Sequence, residues 1–167
     1  MKKKILLYCV MLCAMLLTGC GKEDQIKLDV YQYLNTDVKP IASMHNEAIA
    51  AYNAYMDKED GNAEQLLSCL SDEVIPAMEQ VVNSLGELNY ASHEVNTYVI
   101  EYKSVVEQEI DALLAVVSAV QNQSEEELAA ANTKINETMQ AMDAYQTGVR
   151  TFAASYGLTL VEKESGE

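Results

Sequence analysis

The chain has 167 residues, 26 acidic against 11 basic, and a net charge of −15, a balance that argues against nucleic acid or anionic lipid headgroups as partners. Seven glycines leave little room for a phosphate-cradling loop, and two histidines are a thin stock for acid–base or metal chemistry.

At the N-terminus Lys2, Lys3 and Lys4 form a positive segment and Ile5 to Leu17 an apolar run. The run is too short to span a bilayer and ends in small residues, so it reads as a processing signal. Its last four residues, Leu17-Thr18-Gly19-Cys20, resemble the lipobox of bacterial lipoproteins. That resemblance implies cleavage between Gly19 and Cys20 and a diacylglyceryl group on the Cys20 sulfur. Residues 1–19 are then a lipoprotein signal peptide, 20–25 a lipid-anchored spacer, 26–157 a helical bundle and 158–167 an acidic tail. The expected location is the cell membrane, on its extracytoplasmic face. Losing the three lysines takes the net charge from −15 to about −18, which favours a neutral or basic partner and keeps the domain soluble above its membrane. The 148 residues left suffice for one domain burying roughly two-thirds of its unfolded surface. Cys9 and Cys13 leave with the signal and Cys20 is acylated, so Cys69 stands alone without an internal disulfide, expected as a small buried hydrophobe, with intermolecular pairing the alternative if it is exposed.

From Ile26 to Met56, Tyr31, Leu34, Val38, Ile41, His45, Ala48, Tyr52 and Tyr55 recur at steps of three and four. This predicts one long helix bent at Pro40, or two helices broken near Asp37. Asn62, with Gln65 three later, predicts an N-cap and a second helix. Its seam is Leu67, Leu70, Val74, Met78, Val81, Leu85 and Leu88, bent near Ser71 to Pro76, with Ser71 able to cap a restart. Ser92 is the next predicted N-cap. The third helix carries Val95, Val99, Tyr102, Val106, Ile110, Leu113, Val117 and Val120, with Glu101, Lys103, Glu107, Glu109 and Asp111 mostly on other faces. Ser124 to Glu127 form a capping box with three acids at the positive helix end. A fourth seam follows: Leu128, Ala131, Ile135, Thr138, Met142, Tyr145, Val149, Phe152 and Tyr156. Gly157 then supplies a left-handed C-cap with Leu158 beside it.

Four amphipathic helices with short connections predict an all-α fold, an antiparallel up-down four-helix bundle with proline-bent first and second helices. Across Tyr33-Leu34-Asn35 with Pro40, Val74-Ile75-Pro76, Ala131-Asn132, Tyr145 and Tyr156-Gly157-Leu158, the chain also resembles uncharacterised small helical lipoproteins of Gram-positive bacteria. The resemblance implies an envelope lipoprotein of helical-bundle fold and brings no activity with it.

Motifs for catalysis are missing. His93-Glu94 opens like a zinc-protease helix, but Thr97 stands where the second histidine belongs. Ala42 and Tyr90 stand three residues before the histidines, where a di-iron bundle needs glutamates. Asp60, Asn62 and Glu64 alternate like a calcium loop, yet Gln65 and Ser71 occupy its glycine and glutamate positions. The expectation is therefore no catalytic residue, no metal site and no cofactor.

Tyrosine is the unusual abundance, ten against one Phe and no Trp. Seam tyrosines predict either amphipathic packing or a Tyr-lined groove between bent helices. His45, Tyr52 and Tyr145 are the candidate ligand-binding residues. A haem held by His45 with Met78, Met139 or Met142 is the cofactor alternative. Against it stands the commoner fate of a core histidine, a hydrogen bond to a carboxylate or tyrosine. The sequence thus predicts a membrane-anchored, non-enzymatic module for binding a protein or envelope component, with a carrier of haem, metal or a small apolar ligand as the alternative.

Overall fold

The computed structural model describes residues 21–58 and 61–158. Gly19 and Cys20, the predicted cleavage and lipidation sites, lie outside the described residues. Within them the chain is all-helical, forming four rods.

The first rod joins α1 (Gly21–Gln32) to α2 (Val38–Met56) through a π-helical segment, Tyr33–Asp37. The second joins α3 (Ala63–Ser68) to α4 (Ile75–Gly86) through another, Cys69–Val74. Both π segments lie just before a proline, for a steric reason. Proline lacks the N–H for the i−4 bond and its ring crowds that carbonyl. The carbonyl belongs to Thr36 for Pro40 and to Asp72 for Pro76, and each sits inside a π segment. Widening the ladder lets the helix pass the proline unbroken. Pro76 then occupies the first turn of α4. Ser71 lies inside the π segment and caps nothing, because the helix never stops there.

The π turn also corrects the predicted seam. An extra residue in the turn shifts the inward face upstream by one position, so Ile26, Val30 and Tyr33 are buried beside Leu34. Tyr31, assigned to the seam, is 55% exposed. Gly21 is already helical, within the stretch expected to be a spacer.

The third rod is α5 (His93–Asn122) and the fourth α6 (Glu125–Ser155). Their connection is short because Gln123 adopts a left-handed φ of 52°. Half of the capping box predicted for α6 forms: the Ser124 hydroxyl accepts from the Glu127 N–H at 3.2 Å, but the Ser124 N–H donates to the Ala119 carbonyl and the Glu127 carboxylate accepts from the Asn122 amide at 2.9 Å instead. Asn62 likewise accepts from the Gln65 N–H at 3.0 Å. The fourth rod ends in the pattern predicted for Gly157. At φ 74° its N–H donates to Ala154, and the Leu158 N–H reaches Ala153. Ser92 is the N-cap residue of α5, but its hydroxyl makes no capping bond. Another rod supplies a different contact: the buried Asp29 carboxylate accepts from the Ser92 N–H itself at 2.8 Å and from the Gln25 amide at 2.7 Å.

α5 and α6 are the most extensively packed pair, and fully buried Ala112, Ala131 and Ala153 allow their close approach. The larger core cluster centres on Leu70, Val74, Met78, Val81, Leu85 and Val106. The smaller joins Ile26, Val30, Tyr33, Val95, Val99, Val149 and Ala153. Val38, Leu88 and Tyr145 pack against both.

Candidate functional site

Between α2 and α6 the rods stand apart over a groove of about 490 Å³, a size typical of small-molecule sites. Its walls are Val38, Ala42, Ile49 and Tyr52 of α2 and Ile135, Met142 and Tyr145 of α6. Buried residues of the other rods form the floor, Met78 from α4 with Tyr102 and Leu113 from α5. The rim is polar: Asn46, Asn53, Asp143 and Gln146. No lysine or arginine is among the lining residues.

Within the groove, polar groups of two helices meet. His45 of α2 is only 5% exposed. Its Nδ1 lies 3.1 Å from the Tyr102 hydroxyl and its Nε2 2.7 Å from Oε2 of Glu109. With the proton on Nε2, the ring donates to Glu109 and accepts from Tyr102, so every polar atom of that contact is matched. Oε2 of Glu109 is thus engaged, while its Oε1 makes no hydrogen bond among the described residues.

Tyrosines extend this cluster along the core. Tyr102 stacks on Tyr145 with ring centroids 4.9 Å apart. The Tyr145 and Tyr33 hydroxyls meet at 2.5 Å. Tyr33 meets the edge of Tyr90, whose hydroxyl donates to Asp37 at 2.7 Å. Burial, which disfavours a phenolate, pushes Tyr33 up to about 12 and raises Tyr102, Tyr145 and Tyr90 as well, Asp37 adding to the rise at Tyr90. These phenols are neutral hydrogen-bonding groups at physiological pH. Tyr52 is raised too, by burial and then by nearby Cys69. Burial and then Glu73 raise the half-buried Cys69 thiol, opposite to what a nucleophilic cysteine needs.

His45, Tyr52 and Tyr145, singled out in the sequence, all line this one groove. Met78, Met139 and Met142 line it as well. Yet both ring nitrogens of His45 are engaged, so a haem iron would have to displace Tyr102 or Glu109 first. No group of three or more His, Cys, Asp or Glu suited to a metal occurs among the described residues.

Sequence reasoning missed Glu109, Tyr33 and Asp29. Glu109 carried a usable signal, for it lies seven residues after Tyr102 and so on the same helical face. Tyr33 and Asp29 carried none, because the π turn that brings them inward is invisible to a fixed period. No family model, curated protein or solved structure matches the chain.

Proposed function

We propose that this protein is a lipid-anchored, extracytoplasmic binding module without catalytic activity, and that the groove between α2 and α6 is its binding site. The observation that carries the reading is the groove itself: an apolar trough of small-molecule size, floored by buried side chains and carrying a hydrogen-bonded His–Tyr–Glu cluster among its lining. The absence of enzymatic activity is supported by how that cluster is used. Its histidine and carboxylate are committed to each other and to Tyr102, with no nucleophile beside them.

We read the four rods as an up-down-up-down antiparallel bundle with the prolines bending the first two. Supporting this, Tyr98 packs on Phe152 while Tyr102 packs on Tyr145, so α5 and α6 count in opposite senses. The same opposition holds between the first and fourth rods, where Lys27 lies within electrostatic reach of Tyr156 while Tyr33 meets Tyr145. The lipid anchor rests on the Leu17-Thr18-Gly19-Cys20 sequence, and two acyl chains suffice for stable attachment.

Two measurements test the reading. In bacteria fed a tagged fatty acid, the chain should take up label and Cys20→Ala should not; label retained in Cys20→Ala refutes the anchor. Native mass spectrometry of chain recovered from the envelope should show a bound species that Ala42→Trp, which fills the groove, excludes. A species that survives this substitution places binding elsewhere.

A further inference from the structure

Building on the groove as the binding site, we propose that its ligand is a small organic cation with an apolar body, its positive group seated at Glu109. Charge is the first argument. The groove is lined by two carboxylates, Glu109 within and Asp143 at the rim, and by no lysine or arginine. Glu109 is set low in the wall, its side chain only 11% exposed, where solvent screening is reduced. One of its oxygens is fixed by His45, which orients the carboxylate and leaves the other to a ligand.

Aromatic placement is the second argument. Tyr52, Tyr102 and Tyr145 share the lining, and the raised phenols of the last two keep the rings neutral, with faces that attract cations. The third is shape. Ile49, Leu113, Ile135 and Met142 supply an apolar trough that a bare metal ion or a sugar would not use. A whole helix, with side chains about 10 Å across, is too thick for a trough of about 490 Å³. An anion would meet Glu109 and Asp143 and find no donor of opposite charge.

Three probes with one apolar body and different heads test this: 4-tert-butylbenzylamine, 4-tert-butylbenzyl alcohol and 4-tert-butylbenzoate. They are titrated calorimetrically against the full chain in zwitterionic lipid nanodiscs, with empty discs as blanks. The amine should bind tightest, roughly tenfold or more over the benzoate, from one favourable and one unfavourable contact with a largely buried charge. Glu109→Gln keeps an acceptor for His45 but removes the charge, and should erase most of that preference. Asp111→Asn makes the same change in net charge on the same helix, facing another groove with Glu79 and Val82, and should leave the preference intact. Equal binding of all three probes, or a preference unaltered by Glu109→Gln, overturns the cation assignment. If that binding is still abolished by Ala42→Trp, the groove stands as the binding site. Absence of binding by any probe at millimolar concentration overturns both.

Discussion

Asp29 offers the sharpest test of how the rods are joined. Its carboxylate, 5% exposed, accepts the Ser92 N–H at 2.8 Å and the Gln25 amide at 2.7 Å. Ser92 begins a helix of 30 residues and does not cap it with its own hydroxyl, so the Asp29 charge also sits at the positive end of that helix. Asp29→Ala removes both bonds and strands a buried backbone N–H. A lost hydrogen bond to a charged group is worth about 1.5–3 kcal/mol and the lost interaction with the helix end adds about 0.5–1 kcal/mol, so the expected cost is about 2–4 kcal/mol. Asp29→Asn retains one acceptor oxygen for the Ser92 N–H and should cost only about 1 kcal/mol, mostly the charge. Urea unfolding of the full chain, followed by far-ultraviolet circular dichroism, measures both. Hydrogen exchange should locate the loss, with faster exchange at Ser92 and the first turn of α5. If Asp29→Ala costs less than 0.5 kcal/mol, or Asn and Ala cost the same, the cross-rod carboxylate does not hold that helix start.

Three further outcomes follow from the core. Because burial raises Tyr33 from 10.0 to about 12, and raises Tyr102 and Tyr145 too, their contribution to stability is complete below pH 10 and is lost as pH climbs through the raised values. Tyrosinate absorbance at 295 nm should therefore contain a cooperative step above pH 10 that coincides with loss of helix; gradual ionisation near pH 10 with helix intact contradicts the burial. Tyr33→Phe and Tyr145→Phe each leave one hydroxyl of the 2.5 Å pair without its partner, at about 1–2 kcal/mol apiece. The double variant should cost less than the sum, and additivity in denaturant unfolding would show the pair is not coupled. Leu85→Ala, at a fully buried position in the larger cluster, should cost about 2–5 kcal/mol by thermal or urea unfolding, and a near-neutral result would mean the α4 packing is misassigned.

Much of the secondary structure was determined by local chemistry that a sequence displays. Asn62 and Ser124 cap because a short acceptor side chain precedes orphan N–H groups, and Gly157 terminates α6 because only a left-handed residue closes the last carbonyls. The inward positions Ile41, His45, Ala48 and Tyr55 followed from period alone, as did Met78, Val81 and Leu85. So did the presence of His45, Tyr52 and Tyr145 on faces that turned out to share a groove.

The tertiary structure decided the rest. Two prolines announced a disturbance, but only the widened turns before them set the phase upstream, which placed Tyr33 and Val30 inside and Tyr31 outside. Ser92 had the right side chain for a cap, yet its hydroxyl caps nothing; a carboxylate 63 residues away accepts from the Ser92 N–H instead, a contact that only a neighbouring rod can deliver. His45 could be read as buried, but its engagement by Tyr102 and Glu109 depends on how α2 lies against α5. The periodicity of one helix says which face is covered. It carries no record of which residue on another helix stands opposite, and that pairing made the groove.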